Sequence, residues 1–524
     1  MKSLQSKISN ITKDQLIKLF TITVILIIFL DMDTYIYPLF NALNIPLPST
    51  ILAYIWLPIY VIIVFLVLEK NKKKIFFVGA MIITVYILYF IVHHYLSKDL
   101  ASTLYLTNNF FYSIKYEITY MFILILPLFY VYVIYRLEPS FTQVEKIMVI
   151  VAMMISIPIF LGNVFLISPS TYVGWTKSNI FSWFSGIYDT FSPRQLATKA
   201  FFSEGNTTGI VLFITFPFML NLMHKLNANW KITTAVIIQV LAMYCLATRV
   251  ATYGVLILMI GYFIILAVMV LIKKEKFSLK FIIIYLTIFL VFLGMFKFTP
   301  AYVNQQIDTD NDNSILSNES HRQELKGEVY KPNLTPYSAE FINYYVHIFT
   351  DNAFLLSIPE VYYEEIYDYR IDPIFWVDLI FNYDFYERSS GRDFERIFSE
   401  YEWDKLTTPQ KLVGFSYSTF MNGGILLEQD FVMQVYTHGY VGFAILVMPW
   451  LIILLIVLVL ALKRIKYILN MDILICGMAL CGGYICAYSS GHTLDELFSS
   501  IILAILAGKL LLMVRKSKKE SIKK

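Results

Sequence analysis

Apolar runs of roughly 18–25 residues recur along the whole chain, and each is long enough to cross a hydrocarbon core of about 30 Å as a helix. Backbone polar groups cannot stay unpaired in lipid, so such runs fold as helices. A membrane β-barrel would instead show about ten-residue segments of alternating polarity. Only 15% of the 524 residues are charged and 58% are hydrophobic, against about 25% charged for a typical soluble domain. The expected fold class is an all-α polytopic membrane protein.

Twelve spans are expected, at roughly 18–36, 50–68, 75–95, 118–135, 145–167, 208–223, 232–248, 251–272, 281–298, 432–461, 472–488 and 494–514. The first run lacks a small-residue cleavage site and reads as a retained span rather than a signal peptide. The connections sort by charge. Lys70 with Lys72–Lys74, Arg136 with Lys146, Lys225 with Lys231, Lys273–Lys276, Lys463 with Arg464 and Lys466, and the tail 515–524 all fall on one side. The excess of Lys and Arg marks that side as cytoplasmic, with both termini inside.

Three connections fall outside: Ser97–Glu117, the aromatic-rich Ser168–Thr207, and Thr299–Asp430. The third carries 23 acidic and 9 basic residues. Its apolar segments Phe341–Phe349 and Pro373–Phe385 point to a folded element rather than an acidic linker. The domains expected are therefore membrane helices in 1–298, a large outer loop in 299–430, and membrane helices with a basic tail in 431–524. Cys245, Cys476, Cys481 and Cys486 all lie in apolar runs without a Cys-x-x-Cys spacing, which suggests packing residues rather than disulfides or zinc ligands.

The residues that could carry chemistry gather at the outer surface. Arg249 lies in a minimal outer turn between two apolar runs. It is either an anchor for an anion, since guanidinium binds phosphate bidentately, or an end-of-helix side chain that snorkels to water. Arg392 follows Gly391 in Ser-Ser-Gly-Arg-Asp at 389–393; it is a second anchor or a surface ion pair with Asp393 or Glu395. Glu428 and Asp430 precede the tenth span, where helix dipoles favour acids. Asp430, Gln434 and His438 fall at i, i+4 and i+8 and so share one helix face. A polar stripe of that kind needs partners or a water-filled cavity in a membrane, although an isolated His is often only a packing residue. Glu204 and Asn206 open the sixth span, as cleft lining or merely as a helix start. His492, Asp495 and Glu496 close the last hairpin. No phosphate-binding glycine loop for nucleotides occurs, and nothing suggests nucleic-acid binding.

Several motifs together resemble the O-antigen ligase/polymerase family. They are Thr248-Arg249, the Phe202-x-Glu204-x-Asn206 opening, Ser390-Gly391-Arg392, and Glu428-Gln429-Asp430 followed by Tyr436-Thr-His438-Gly-Tyr-Val-Gly442. The resemblance implies an inverting membrane glycosyltransferase of the C type. It implies a polyprenyl-diphosphate-linked glycan as donor, an acceptor glycan at the outer face, no nucleotide sugar, no cofactor and no obligatory metal. Other polysaccharide-assembly proteins are implied as partners. Arg249 and Arg392 would hold the diphosphate. The base would be Glu428, Asp430 or His438, because a His-Asn pair common in relatives is replaced here by Glu428-Gln429-Asp430. That replacement is similar to Gram-positive members and favours a polymerase over a ligase. A transporter of lipid-linked oligosaccharide is the alternative of a different class, and a ligand-binding membrane sensor a third.

Overall fold

The computed structural model describes residues 11–104, 106–168, 171–330, 334–388 and 390–521. Ser389, most of the polar amino-terminal stretch and the last three residues of the basic tail lie outside them. Among the described residues the protein is helical, with one isolated bridge between Thr171 and Gly174 and no strand. Among the described residues nine helices are long and apolar enough to span a membrane, or eleven if two broken pairs each count as one span. The expectation of twelve fails at 232–248. That segment is the helix Trp230–Cys245, only 16 residues long, or about 24 Å, short of a full crossing. The first and tenth expected spans are the two broken pairs.

The chain forms two compact units. One comprises 1–82, 122–304 and 448–524; the other comprises 83–121 and 305–447. In the first, Gly205–Lys225 is the central helix, packed by Phe141–Val164, Trp230–Cys245, Arg249–Leu271 and Met471–Ser489. Small residues allow this close approach. A Cβ on Gly254 would lie 2.4 Å from the Phe213 ring and one on Gly482 2.6 Å from it. Glu145 accepts hydrogen bonds from Asn221 (2.6 Å) and Lys225 (3.1 Å), and Lys225 also pairs with Asp472 at 2.9 Å. All four cysteines are free. Cys481 differs from the packing role expected, since it faces outward while the other three are buried.

The second unit has its own aromatic core. The helices Ala339–Asn352, Pro373–Asn382 and Gly391–Asp404 supply Phe349, Trp376, Phe394 and Phe398. Trp376 stacks on Phe394 with centroids 5.0 Å apart, and its Nε1 donates to Tyr367 O at 2.9 Å. Both apolar segments singled out in the long connection are in this core. Leu100, Leu106 and Phe110, from the connection near Ser97–Glu117, join them. Full burial of each such side chain contributes about 1.5–3 kcal/mol, which accounts for ordered structure in so acidic a stretch.

Candidate active site

The second unit is organised around a broken helix. Asp430–Leu446 is interrupted at Gly439, whose φ of 65° and ψ of −177° are non-helical. A Cβ there would lie 2.4 Å from the backbone of Leu412 and Val413, so only glycine fits. Gly414 faces it, with φ 77° and room for no Cβ. The break frees carbonyls, and each finds a donor: Phe415 N bonds Tyr436 O (2.9 Å), Ser416 N bonds Thr437 O (2.8 Å) and Tyr89 Oη bonds His438 O (2.7 Å). Non-helical backbone at membrane depth persists only where its groups are satisfied in this way.

His438 sits at the break, fully buried. Its Nδ1 is 2.9 Å from Thr437 Oγ1, and its Nε2 is 3.4 Å from Glu117 Oε1, outside hydrogen-bond geometry. Glu117, in the helix Ile114–Leu137, is equally buried. His93 Nε2 lies 2.8 Å from Glu117 Oε1, the Tyr417 amide donates to Oε1 at 3.3 Å, and the Ser418 amide donates to Oε2 at 2.9 Å. His93, in the helix Lys72–Ser97, also has Nδ1 2.8 Å from Val413 O. Tyr120 lies parallel to His438 at 5.5 Å and to Tyr417 at 3.4 Å between centroids. Gln434 Nε2 donates to the Tyr120 hydroxyl, so Gln434 and His438 meet the same ring, as their shared face requires.

His93 and Glu117 were not singled out from the sequence. A His and a Glu inside apolar spans are costly in lipid and mark function or partners, and that signal was present. Asp430, Gln434 and His438 are each 0% exposed, whereas the Glu428 side chain is 28% and that of Arg392 47% exposed. The helix begins at Asp430, so Glu428 precedes it. Arg392 pairs with Glu428. It stands in the first turn of Gly391–Asp404, where Ser390 Oγ accepts from the Asp393 amide at 3.2 Å.

Arg249, Glu204 and Asn206 belong to the other unit. Arg249 is the exposed first residue of Arg249–Leu271, and Thr248 caps that helix by accepting from the Ala251 amide at 3.2 Å. Glu204 is exposed and Asn206 half-buried at the start of Gly205–Lys225. Asp31 takes the role at this helix start, accepting from the Glu204 amide (3.0 Å) and from Thr208 Oγ1 (2.6 Å). Lys199 is nearby, and burial lowers its amine from the ordinary range against the pull of Glu204 and Asp31. His492 Nδ1 is 3.1 Å from Asp495 Oδ2. Glu496 lines a small cavity with Leu30, Ser49 and Ile123, and burial, then Asp495, push its carboxyl up to about 8.

A family profile described as O-antigen ligase like membrane protein matches residues 13–517, nearly the whole chain. The chain belongs to that family. No curated protein and no solved structure matches it. Membership implies polysaccharide transfer at a membrane by a glycosyltransferase-type protein, with lipid-linked glycans as substrates.

Proposed function

We propose that this O-antigen ligase-like protein transfers a glycan from a polyprenyl-diphosphate carrier to an acceptor glycan at the outer membrane face, lengthening a cell-surface polysaccharide. The observation that carries the reading is the Arg392–Glu428 ion pair, a partly exposed cation and carboxylate two residues before a broken membrane helix. A diphosphate leaving group gathers negative charge as the glycosidic bond breaks, and preorganised guanidinium groups stabilise it. Arg392 and Arg249 are assigned to that role. Arg249 stands at the positive end of its own helix, where an anion is favoured.

Of the three candidate bases, Asp430 and His438 are fully buried while the Glu428 side chain is partly exposed, which favours Glu428 as the group that meets an acceptor hydroxyl. An arriving diphosphate competes for Arg392 and so releases the Glu428 carboxylate beside the reacting centre. Glu428 then takes the hydroxyl proton, the acceptor oxygen attacks the sugar carbon, and the carrier diphosphate departs with inversion in one displacement. Glu204 and Asn206 are assigned to the lining of the acceptor site, whereas Gln434, fully buried against Tyr120, is not. The Lys and Arg distribution supports an outward-facing site with both termini cytoplasmic. The Glu428-Gln429-Asp430 variant supports polymerase over ligase.

The test is chain lengthening by purified protein in lipid nanodiscs supplied with lipid-linked repeat units. Arg249→Ala, Arg392→Ala and Glu428→Gln are each expected to lower turnover by about 100-fold or more. Full activity in both arginine variants would refute the assignment. Movement of intact lipid-linked glycan without a new glycosidic bond would indicate the transporter alternative.

A further inference from the structure

The proposed transfer does not use the His93–Glu117–His438 cluster, and its hydrogen bonding raises a question of proton placement. Thr437 has one hydroxyl proton, which it donates to Met433 O at 2.8 Å. With the hydroxyl proton placed there, the ring donates the 2.9 Å contact from His438 Nδ1, and the neutral imidazole keeps its lone pair on Nε2. Val413 O is an acceptor only, so His93 Nδ1, 2.8 Å away, also carries a proton. The neutral His93 likewise keeps its lone pair on Nε2. Both lone pairs converge on Glu117, whose two oxygens accept from the amides of Tyr417 and Ser418, as an ionised carboxylate does.

In this tautomer protons alone satisfy the arrangement poorly. A proton on His93 leaves the His438 lone pair 3.4 Å from a carboxylate oxygen in a site of zero exposure. A second proton stacks two imidazolium rings at 5.4 Å between centroids. A divalent cation at the point all three groups face removes both difficulties.

We infer that His93, Glu117 and His438 bind a divalent metal ion of the zinc class as a structural clamp. Their donor atoms lie within 4.8 Å of one another. Ligands about 2.0–2.1 Å from a tetrahedral zinc lie roughly 3.3 Å apart, and the separations of 2.8 and 3.4 Å from Glu117 Oε1 to the two Nε2 atoms bracket that value. Two imidazoles and one carboxylate form a donor set that suits zinc and its neighbours, not calcium or magnesium. Outer partners of the usual kind are in place: each Nδ1–H is held by an oxygen, which fixes the tautomer and turns Nε2 inward. The ion would tie together the helices Lys72–Ser97, Ile114–Leu137 and the start of the broken helix Asp430–Leu446. It carries no step of the transfer, so the inference stands whether or not the proposed function does.

The full-length protein, purified in detergent, is loaded with Zn2+, dialysed and measured for bound metal and for melting temperature with and without dipicolinate. About one zinc per chain is expected, with a lower Tm in chelator that Zn2+ restores. His438→Ala and His93→Ala are expected to lose the ion. Because those variants can fail to fold, Co2+ is also added to the wild-type protein, where visible absorption of a nitrogen- and oxygen-ligated ion is expected. No bound zinc, no Co2+ absorption and an unchanged Tm in chelator would overturn the inference, as would full zinc retention in both folded histidine variants.

Discussion

Two acidic groups, the buried Glu117 in one unit and the half-buried Glu496 in the other, meet their surroundings in opposite ways. Glu117 accepts from two backbone amides, and the rings of His93 and His438 face it. Glu496 has Asp495, Asp31 and Glu204 as acidic neighbours, offset by His492. The first is built to keep its charge. The second is pushed toward its protonated form. The contrast teaches that acidic residues near membrane-helix ends can be read only together with what faces them.

The largest expected effect is at Glu117. Glu117→Ala takes the acceptor from the Tyr417 and Ser418 amides and the partner from the His93 ring, and removing one partner of a buried pair costs about 3–5 kcal/mol. Thermal unfolding in detergent checks this; a change below about 1 kcal/mol would erase the contrast.

Gly439→Ala comes next. The positive φ alone costs about 1–3 kcal/mol, and the backbone of Leu412 and Val413 leaves no space for the methyl group. Unfolding measurements should show loss of stability, whereas Gly79→Ala, where a Cβ meets nothing within 4 Å, should not.

Glu496 offers a test by pH. Its folded-state carboxyl is raised from 4.5 to about 8, so the folded state holds a proton that the unfolded chain releases earlier. That contribution is complete below the unfolded value and is lost as pH rises through about 8. The slope is at most about 1.4 kcal/mol per pH unit. Glu496→Gln should flatten the stability profile across this window, and an unchanged profile would place the titration elsewhere.

The smallest stability effect is expected at Arg392–Glu428. This partly exposed pair contributes about 0–1 kcal/mol, so Glu428→Gln should melt nearly as the parent does while losing transfer activity. A large stability loss would make the pair structural.

Much of the architecture could be read from the chain, because membrane helices are imposed by long apolar runs that need no tertiary information. The folded acidic connection was also legible, since Phe341–Phe349 and Pro373–Phe385 had too many aromatic residues to remain solvated. The common face of Gln434 and His438 followed from helical spacing. The break at Gly439 did not, because glycine is tolerated in membrane helices and only the approach of Leu412–Gly414 shows why it is required. His93 and Glu117 were hidden for a related reason. Each is a single polar residue in an apolar run, and their meaning arises when sequence-distant helices bring them to His438.

The central claim is that Arg249 and Arg392 hold a carrier diphosphate. The most direct measurement is equilibrium binding of sugar-free polyprenyl diphosphate to the protein in nanodiscs, compared with the monophosphate. Wild type should prefer the diphosphate, and each arginine-to-alanine change should weaken it about tenfold or more, the worth of one charge-assisted hydrogen bond. A double variant that binds the diphosphate as tightly as wild type would contradict the account.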